Sequence, residues 1–219
     1  MCDDYKIIED SIERAVTLER HQGRFLRSLQ RSLPRLHRAI QVSQRDIAQQ
    51  LTQFAIRYIQ VVPEWLRQLE TLCEVGGMPF NPVRETIIHG FAEPPERHPE
   101  QVGVAALLDD AYLAHRTFEE INDHLQPVCG MPLLPMDSMV ANLVVRELLG
   151  EIYAVDLDQI CMALGDQFRK QRLAPESLVA MILARQRLIE TPGTWPDLAA
   201  EMGIALRLPL GERQIHTLH

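Results

Sequence analysis

The sequence predicts an all-α fold: a single-domain bundle of about seven or eight helices built around a central buried helix. Three observations carry this. Hydrophobic residues make up 46% of the 219 residues and aromatics only 5%, with abundant Leu, Ala, Gln, Glu and Arg, a composition suited to helix packed on helix. Apolar positions recur every three or four residues along most of the chain, and no strand-like alternation is long enough to compete. Third, residues 137–155, DSMVANLVVRELLGEIYAV, place apolar side chains in almost every direction of a helical wheel, the pattern of a helix buried on all sides.

Taken in order, residues 5–31 form a first helix through Ile8, Ile12, Val16, Phe25 or Leu26, and Leu29, weakened by Gly23. Ser32-Leu33-Pro34 reads as a helix start or as a proline kink. From there Leu36, Ile40, Ser43, Ile47, Leu51, Phe54, Tyr58 and Val61 repeat at spacings of three and four, the narrow seam of a long helix that Pro63 bends or interrupts. Residues 64–75 continue as helix through Trp65, Leu66, Leu69 and Leu72 until Gly76-Gly77 ends it. Residues 1–75 are thus the long N-terminal helices. Residues 76–101 are a proline-rich connection, with Pro79, Pro82, Pro94, Pro95 and Pro99 around one short helix at 83–91; a surface connection is favoured over a lid.

Residues 102–125 form the next strong helix, with Leu107, Ala111, Ala114, Phe118, Ile121 and Leu125 facing inward. A proline-containing link at 126–137 leads to Asp137 or Ser138, which caps the central helix, so that residues 102–155 make an antiparallel hairpin. In residues 156–219, Asp156 caps a helix over 157–164 that Gly165 stops, and Ala174-Pro175-Glu176 opens another to residue 190. Thr191-Pro192-Gly193 turns the chain, and a short helix at 197–202 precedes a tail without clear period. DLAAEMG at 197–203 resembles the start of a helix-turn-helix, but no recognition helix follows.

No run approaches the roughly 18 apolar residues of a membrane span, and residues 1–10 are polar and acidic, so a cytoplasmic protein is expected. Cys2, Cys73, Cys129 and Cys161 are scattered without a Cys-x-x-Cys pair and read as reduced thiols. The formal charge of −8 is uneven. Residues 14–45 hold eight arginines against one acid, Glu19, whereas residues 46–166 hold six basic and nineteen acidic side chains.

Two groups of residues are candidates for function. The first is a carboxylate-histidine metal centre at His115, Glu119, Glu147 and Glu151, suited to iron or manganese. With the hairpin link centred near Met131, His115 lies level with Glu147, and Tyr112 or Ala111 with Glu151, so a histidine and carboxylates would converge between two helices. Such a centre would serve metal binding, or oxidation or hydroxylation of a small organic molecule. Against it, the chain contains no Glu-x-x-His, and Arg116 and Arg146 lie within reach of the same glutamates. Ion pairing or a dimer contact is therefore the favoured use of Glu147 and Glu151, and a core position that of His115.

The second group is the arginine series Arg20, Arg24, Arg27, Arg31, Arg35 and Arg38, continuing to Arg45, which would form one stripe able to attract an anion or a partner. Pro34 divides it between two helices. Phe25 alone interleaves with it, and the rest of the chain is acidic, which disfavours nucleic acid. Pairing with the acidic part of the chain, or with a second subunit, is the favoured use. P-loop, dinucleotide-binding, nucleophile-elbow and His-Glu-x-x-His motifs are all missing. The leading expectation is a non-catalytic binding or regulatory module acting as a homodimer on a protein or small-molecule partner. The seam at 36–61 and the opposed charge blocks motivate the dimer.

Overall fold

A computed structural model describes residues 2–36, 38–92, 103–134, 138–169, 172–189 and 197–207. The all-α class holds, and most helix boundaries follow from local chemistry. The expected helix at 5–31 is two: α1 (Cys2–Gln22) and α2 (Arg24–Ser32), separated by Gly23 in the left-handed region at φ 56°. The carboxylate of Glu19 reaches across that break and accepts hydrogen bonds from the backbone N–H groups of Phe25 and Leu26, at 2.9 and 3.0 Å. Those N–H groups lie in the first turn of α2, where no helical partner exists for them, so a buried side chain from the preceding helix supplies the cap.

At Pro34 the chain leaves the helix in a 3-10 turn, Leu33–Arg35. The long helix expected from Leu36 onward does not begin there. Residues Ile40–Val42 form a strand, β1, paired antiparallel with β2 (Ile204–Leu206), and Asp46 caps α3 (Ile47–Gln60) by accepting from the Gln49 N–H at 3.0 Å. Buried Gln50 ties this region together, accepting from Gln44 N–H at 2.8 Å and donating to Ser43 Oγ and the Met202 carbonyl. Beyond it the expected seam is real but internal: Leu51, Phe54 and Tyr58 are fully buried.

Pro63 sits in the first turn of α4 (Val62–Gly76), where its missing N–H costs nothing, and Gly77 ends that helix in a left-handed cap. α5 (Asn81–Ala92) buries Val83, Ile87 and Phe91. The helix at the centre of the bundle is α6 (Val104–Cys129), which runs beyond the expected end at 125 and packs against α1, α3, α4 and α5. It also packs against α7 (Met139–Leu149) and most extensively α8 (Glu151–Arg169). Where the chain leaves α6, Asn122 holds it by bonding both the N–H and the carbonyl of Leu134, each at 2.7 Å.

The segment 137–155 is therefore not the central helix. Gly150, at φ 92° and ψ 144°, breaks it into α7 and the start of α8, and each piece buries one face only. Leu143 is 45% and Ile152 86% exposed. Apolar residues in every wheel direction imply burial all round only for an uninterrupted axis, and the glycine resets the axis. A different glycine misleads in the opposite sense. Gly165 does not stop a helix but lies within α8, where a Cβ would stand 2.8 Å from Glu120 Cβ; it allows α8 to approach α6 closely.

α9 (Pro175–Ile189) packs on α4, and Asp197 caps α10 (Leu198–Glu201) by accepting from Ala200 N–H at 3.0 Å. Asp137 as a cap, Pro94, Pro95 and Pro99, the turn at 191–193 and the tail from 208 lie outside the described residues. Among the described residues no helix is long and apolar enough to cross a membrane.

Candidate functional site: a polar network and an arginine-bordered groove

The first group of expected site residues centres on α6. His115 is fully buried, stacked on the Tyr58 ring at a centroid distance of 3.8 Å with the edge of Trp65 at 4.9 Å. Its Nε2 donates to the Tyr58 carbonyl at 2.9 Å, and Nδ1 is buried with no hydrogen-bond partner among the described residues. Burial lowers its pKa to about 4, with the Tyr58 carbonyl opposing, so the ring is neutral at pH 7.

One turn on, Glu119 accepts from Arg116 and, at 3.1 Å, from Ser138 Oγ. Ser138 accepts from Asn142 Nδ2 at 3.4 Å, and Asn142 Oδ1 accepts from the Tyr58 hydroxyl at 2.6 Å. Tyr58 thus stands between the two: its backbone carbonyl takes the His115 bond, and its hydroxyl begins the chain through Asn142 and Ser138 to Glu119. Arg116 extends it to Glu120 at 3.0 Å and to Asp158 of α8 at 3.3 Å. Asp158 also accepts from Tyr112, at 2.9 Å, and from Arg146, which reaches Glu151 at 2.9 Å. Burial works against the Arg116 charge, but Glu119 and Asp158 outweigh it and hold the guanidinium above its ordinary value.

Of the two glutamates expected to pair with arginine, Glu151 pairs with Arg146; Glu119, for which no pairing was expected, pairs with Arg116. Glu147 is exposed on α7, on the far side of the Gly150 break from Glu151, so the two do not share a helical face. Among the described residues no group of three or more His, Cys, Asp or Glu side chains is placed to hold a metal ion. Asp158, which joins both arginines, escaped sequence reasoning. The hairpin arithmetic assumed a straight helix to 155, and the break shifts every height beyond it.

The second group forms a different feature. Arg24, Arg27 and Arg31 stand at helical spacings of three and four on α2 and border a groove of about 400 Å³. Its floor comes from Phe25 of the same helix, Ala105 and Leu108 of α6, Leu148 and Leu149 of α7, and Tyr153 of α8. Phe25 and Leu108 are buried, and the Tyr153 hydroxyl is directed to Asp109 at 2.6 Å. Among the described residues no carboxylate lines the groove. Arg20 belongs to a separate cleft, between α1 and the α3–α4 junction, and Arg35 and Arg38 lie beyond α2.

None of these six arginines is within ion-pair distance of a carboxylate among the described residues. The favoured intramolecular pairing is thus not seen there. Glu19, the acid within the arginine block, is turned inward as the cap of α2. One more acid is perturbed: Asp110, wedged against Gly90 of α5, has its carboxyl pushed up to about 8, by burial first and by neighbouring Asp109 second.

No protein-family model, no curated protein and no solved structure matches this chain.

Proposed function

We propose that this chain is a non-catalytic binding protein that works as a homodimer and holds a partner in the groove between α2, α6, α7 and α8. The observation that carries the reading is three arginines, without a carboxylate in ion-pair range among the described residues, set over an apolar floor. An exposed arginine row keeps its charge available when no acid neutralises it, and a concave apolar floor is what a bound partner would cover. The carboxylates on α6 and α8, the other place for chemistry, are largely engaged by Arg116 and Arg146. One hydrophobic cluster draws on every helix from α1 to α10, which supports a single domain over residues 1–219.

Self-association is assigned to a surface other than the 36–61 seam, whose Leu51, Phe54, Tyr58 and Val61 are buried. Ile152, Val155 and Met162 lie exposed along one side of α8, near Met139 and Leu143 on α7 in the chain's order, and a second copy would cover them. The test is titration calorimetry with tripolyphosphate, beside sedimentation velocity of the same samples. The expected result is binding that weakens with salt and falls about tenfold in an Arg27→Gln/Arg31→Gln double variant, on a species of dimer mass. Binding untouched by the double variant would sink the groove assignment, and a monomer in both low and high salt would sink the homodimer.

A further inference from the structure

We propose that the groove takes a free amphipathic anion: a phosphate or carboxylate head on an unbranched alkyl chain. The proposal rests on the groove being the partner site and names the chemistry of the occupant. Residues seven apart on a helix are separated by about 10 Å along its axis, so Arg24, Arg27 and Arg31 place their charges along the length of one wall. Opposite and beneath them the lining is almost wholly apolar, from three other helices: Ala105, Leu108, Leu148, Leu149 and the ring of Tyr153.

Among the described residues, Ser28 is the one uncharged side chain of the lining, apart from Tyr153, that carries a hydrogen-bonding group. The Tyr153 hydroxyl is already engaged by Asp109. The two halves of the groove therefore ask for two different things. A purely polar polyanion would satisfy the arginines and leave the floor uncovered. A neutral hydrocarbon would cover the floor and compete for nothing on the arginine wall, while a cation meets three like charges and no acid. A molecule with one charged end and an apolar body satisfies both, and a volume of about 400 Å³ lies within the range of small-molecule sites.

The floor would take the alkyl chain, and the wall would supply the choice of head. Guanidinium groups on long side chains can take a tetrahedral phosphate or a planar carboxylate in the same fork geometry. The shared chemistry is an anionic oxygen head, and the source assigned here is a monomeric amphiphile in solution rather than a lipid held in a bilayer.

The test is calorimetric titration of the full chain with hexyl, octyl and decyl phosphate at monomeric concentrations, alongside octanol, inorganic phosphate and vesicles of anionic phospholipid. The expected result is one site per chain that tightens about fourfold for each buried methylene until the floor is filled. Octanol and inorganic phosphate should each bind at least about tenfold more weakly than octyl phosphate, from loss of the head and of the chain respectively. The Arg27→Gln/Arg31→Gln variant, altered only at exposed positions of α2, should keep the parent's circular dichroism and melting temperature and lose about tenfold for every chain length.

An affinity independent of chain length overturns the proposal, as does alkyl phosphate binding that the double variant leaves intact. Binding to vesicles with none to the monomeric amphiphile overturns it too. If tripolyphosphate still binds in an Arg27- and Arg31-dependent way while the alkyl phosphates do not, the amphiphile is wrong and the partner groove stands. If neither binds, both fall.

Discussion

Replacing Glu19 by alanine should cost more stability than any exposed arginine replacement on α2. Glu19 is 7% exposed, and its two oxygens each accept one backbone N–H at the start of α2, from Phe25 and Leu26. Hydrogen bonds to a charged acceptor contribute about 1.5–3 kcal/mol, and loss of a helix cap costs about 0.5–2 kcal/mol. The two bonds share one carboxylate and α2 can fray to let water in, so the expected loss is about 2 kcal/mol rather than the sum. For a chain of this length that lowers the melting temperature by roughly 4–8 °C. Glu19→Gln keeps one acceptor and should lose about half as much. Urea unfolding followed by circular dichroism measures this directly: the midpoint falls while the slope stays at the parent's value. If Glu19→Ala melts within about 1 °C of the parent, the carboxylate does not cap α2 and the account of the break at Gly23 is wrong.

The remaining predictions concern buried polar groups and packing. Asp110 has a folded pKa raised to about 8 and His115 one lowered to about 4. A raised acid makes the folded state bind the extra proton, so its contribution falls as pH climbs from about 4 to 8; a lowered histidine makes the unfolded state bind it, so stability falls as pH drops from about 6.5 to 4. The two nearly cancel below pH 6.5. Above it Asp110 acts alone, and stability should decline by up to about 2 kcal/mol between pH 6.5 and 8. Asp110→Asn should abolish that decline and uncover a rise in stability from pH 4 to 6.5; chemical denaturation across the range reads both, and a parent that gains stability between pH 6.5 and 8 contradicts the assignment. Gly165→Ala should destabilise by roughly 1–3 kcal/mol, because the added methyl meets Glu120 Cβ at 2.8 Å and overpacking outweighs the roughly 1 kcal/mol gain in helix propensity. A melting temperature at or above the parent's would show that α8 can move away from α6 at no cost.

The helical class was legible because it rests on periodicity, and periodicity survives errors at the boundaries. Within α6 the spacing of four between His115 and Glu119 keeps the two on neighbouring turns, and both are linked to Tyr58, one directly and one through Ser138 and Asn142. What failed did so where one residue resets the geometry. Gly150 carries no side chain to mark a face, so the wheel drawn through residues 137–155 joined two axes into one, misplaced Glu147 beside Glu151 and hid Asp158. β1 and β2 are three residues each and pair across most of the chain, too short for alternation to register and too far apart for any local signal. Gln50 and Glu19 look like surface residues in sequence. Their burial follows from backbone groups left unpaired by a strand and a helix break that spacing alone does not reveal.

The arginine row shows how charge and fold interact. On composition alone, eight arginines facing nineteen acids suggest mutual neutralisation within the chain. The fold separates them. Glu19 is withdrawn to a backbone site, Arg116 and Arg146 take up Glu119, Glu120, Asp158 and Glu151 on α6 and α8, and Pro34 ends α2 after Ser32, so that Arg24, Arg27 and Arg31 are left together on one short helix. α2 packs on α3 and α1, and the groove it shares with residues of α6, α7 and α8 sets that residual charge beside apolar side chains. The acidic network and the basic groove thus follow from one arrangement. Arg116 on α6 and Arg146 on α7 engage Glu119, Glu120, Asp158 and Glu151, while Arg24, Arg27 and Arg31 on α2 have no carboxylate in ion-pair range among the described residues.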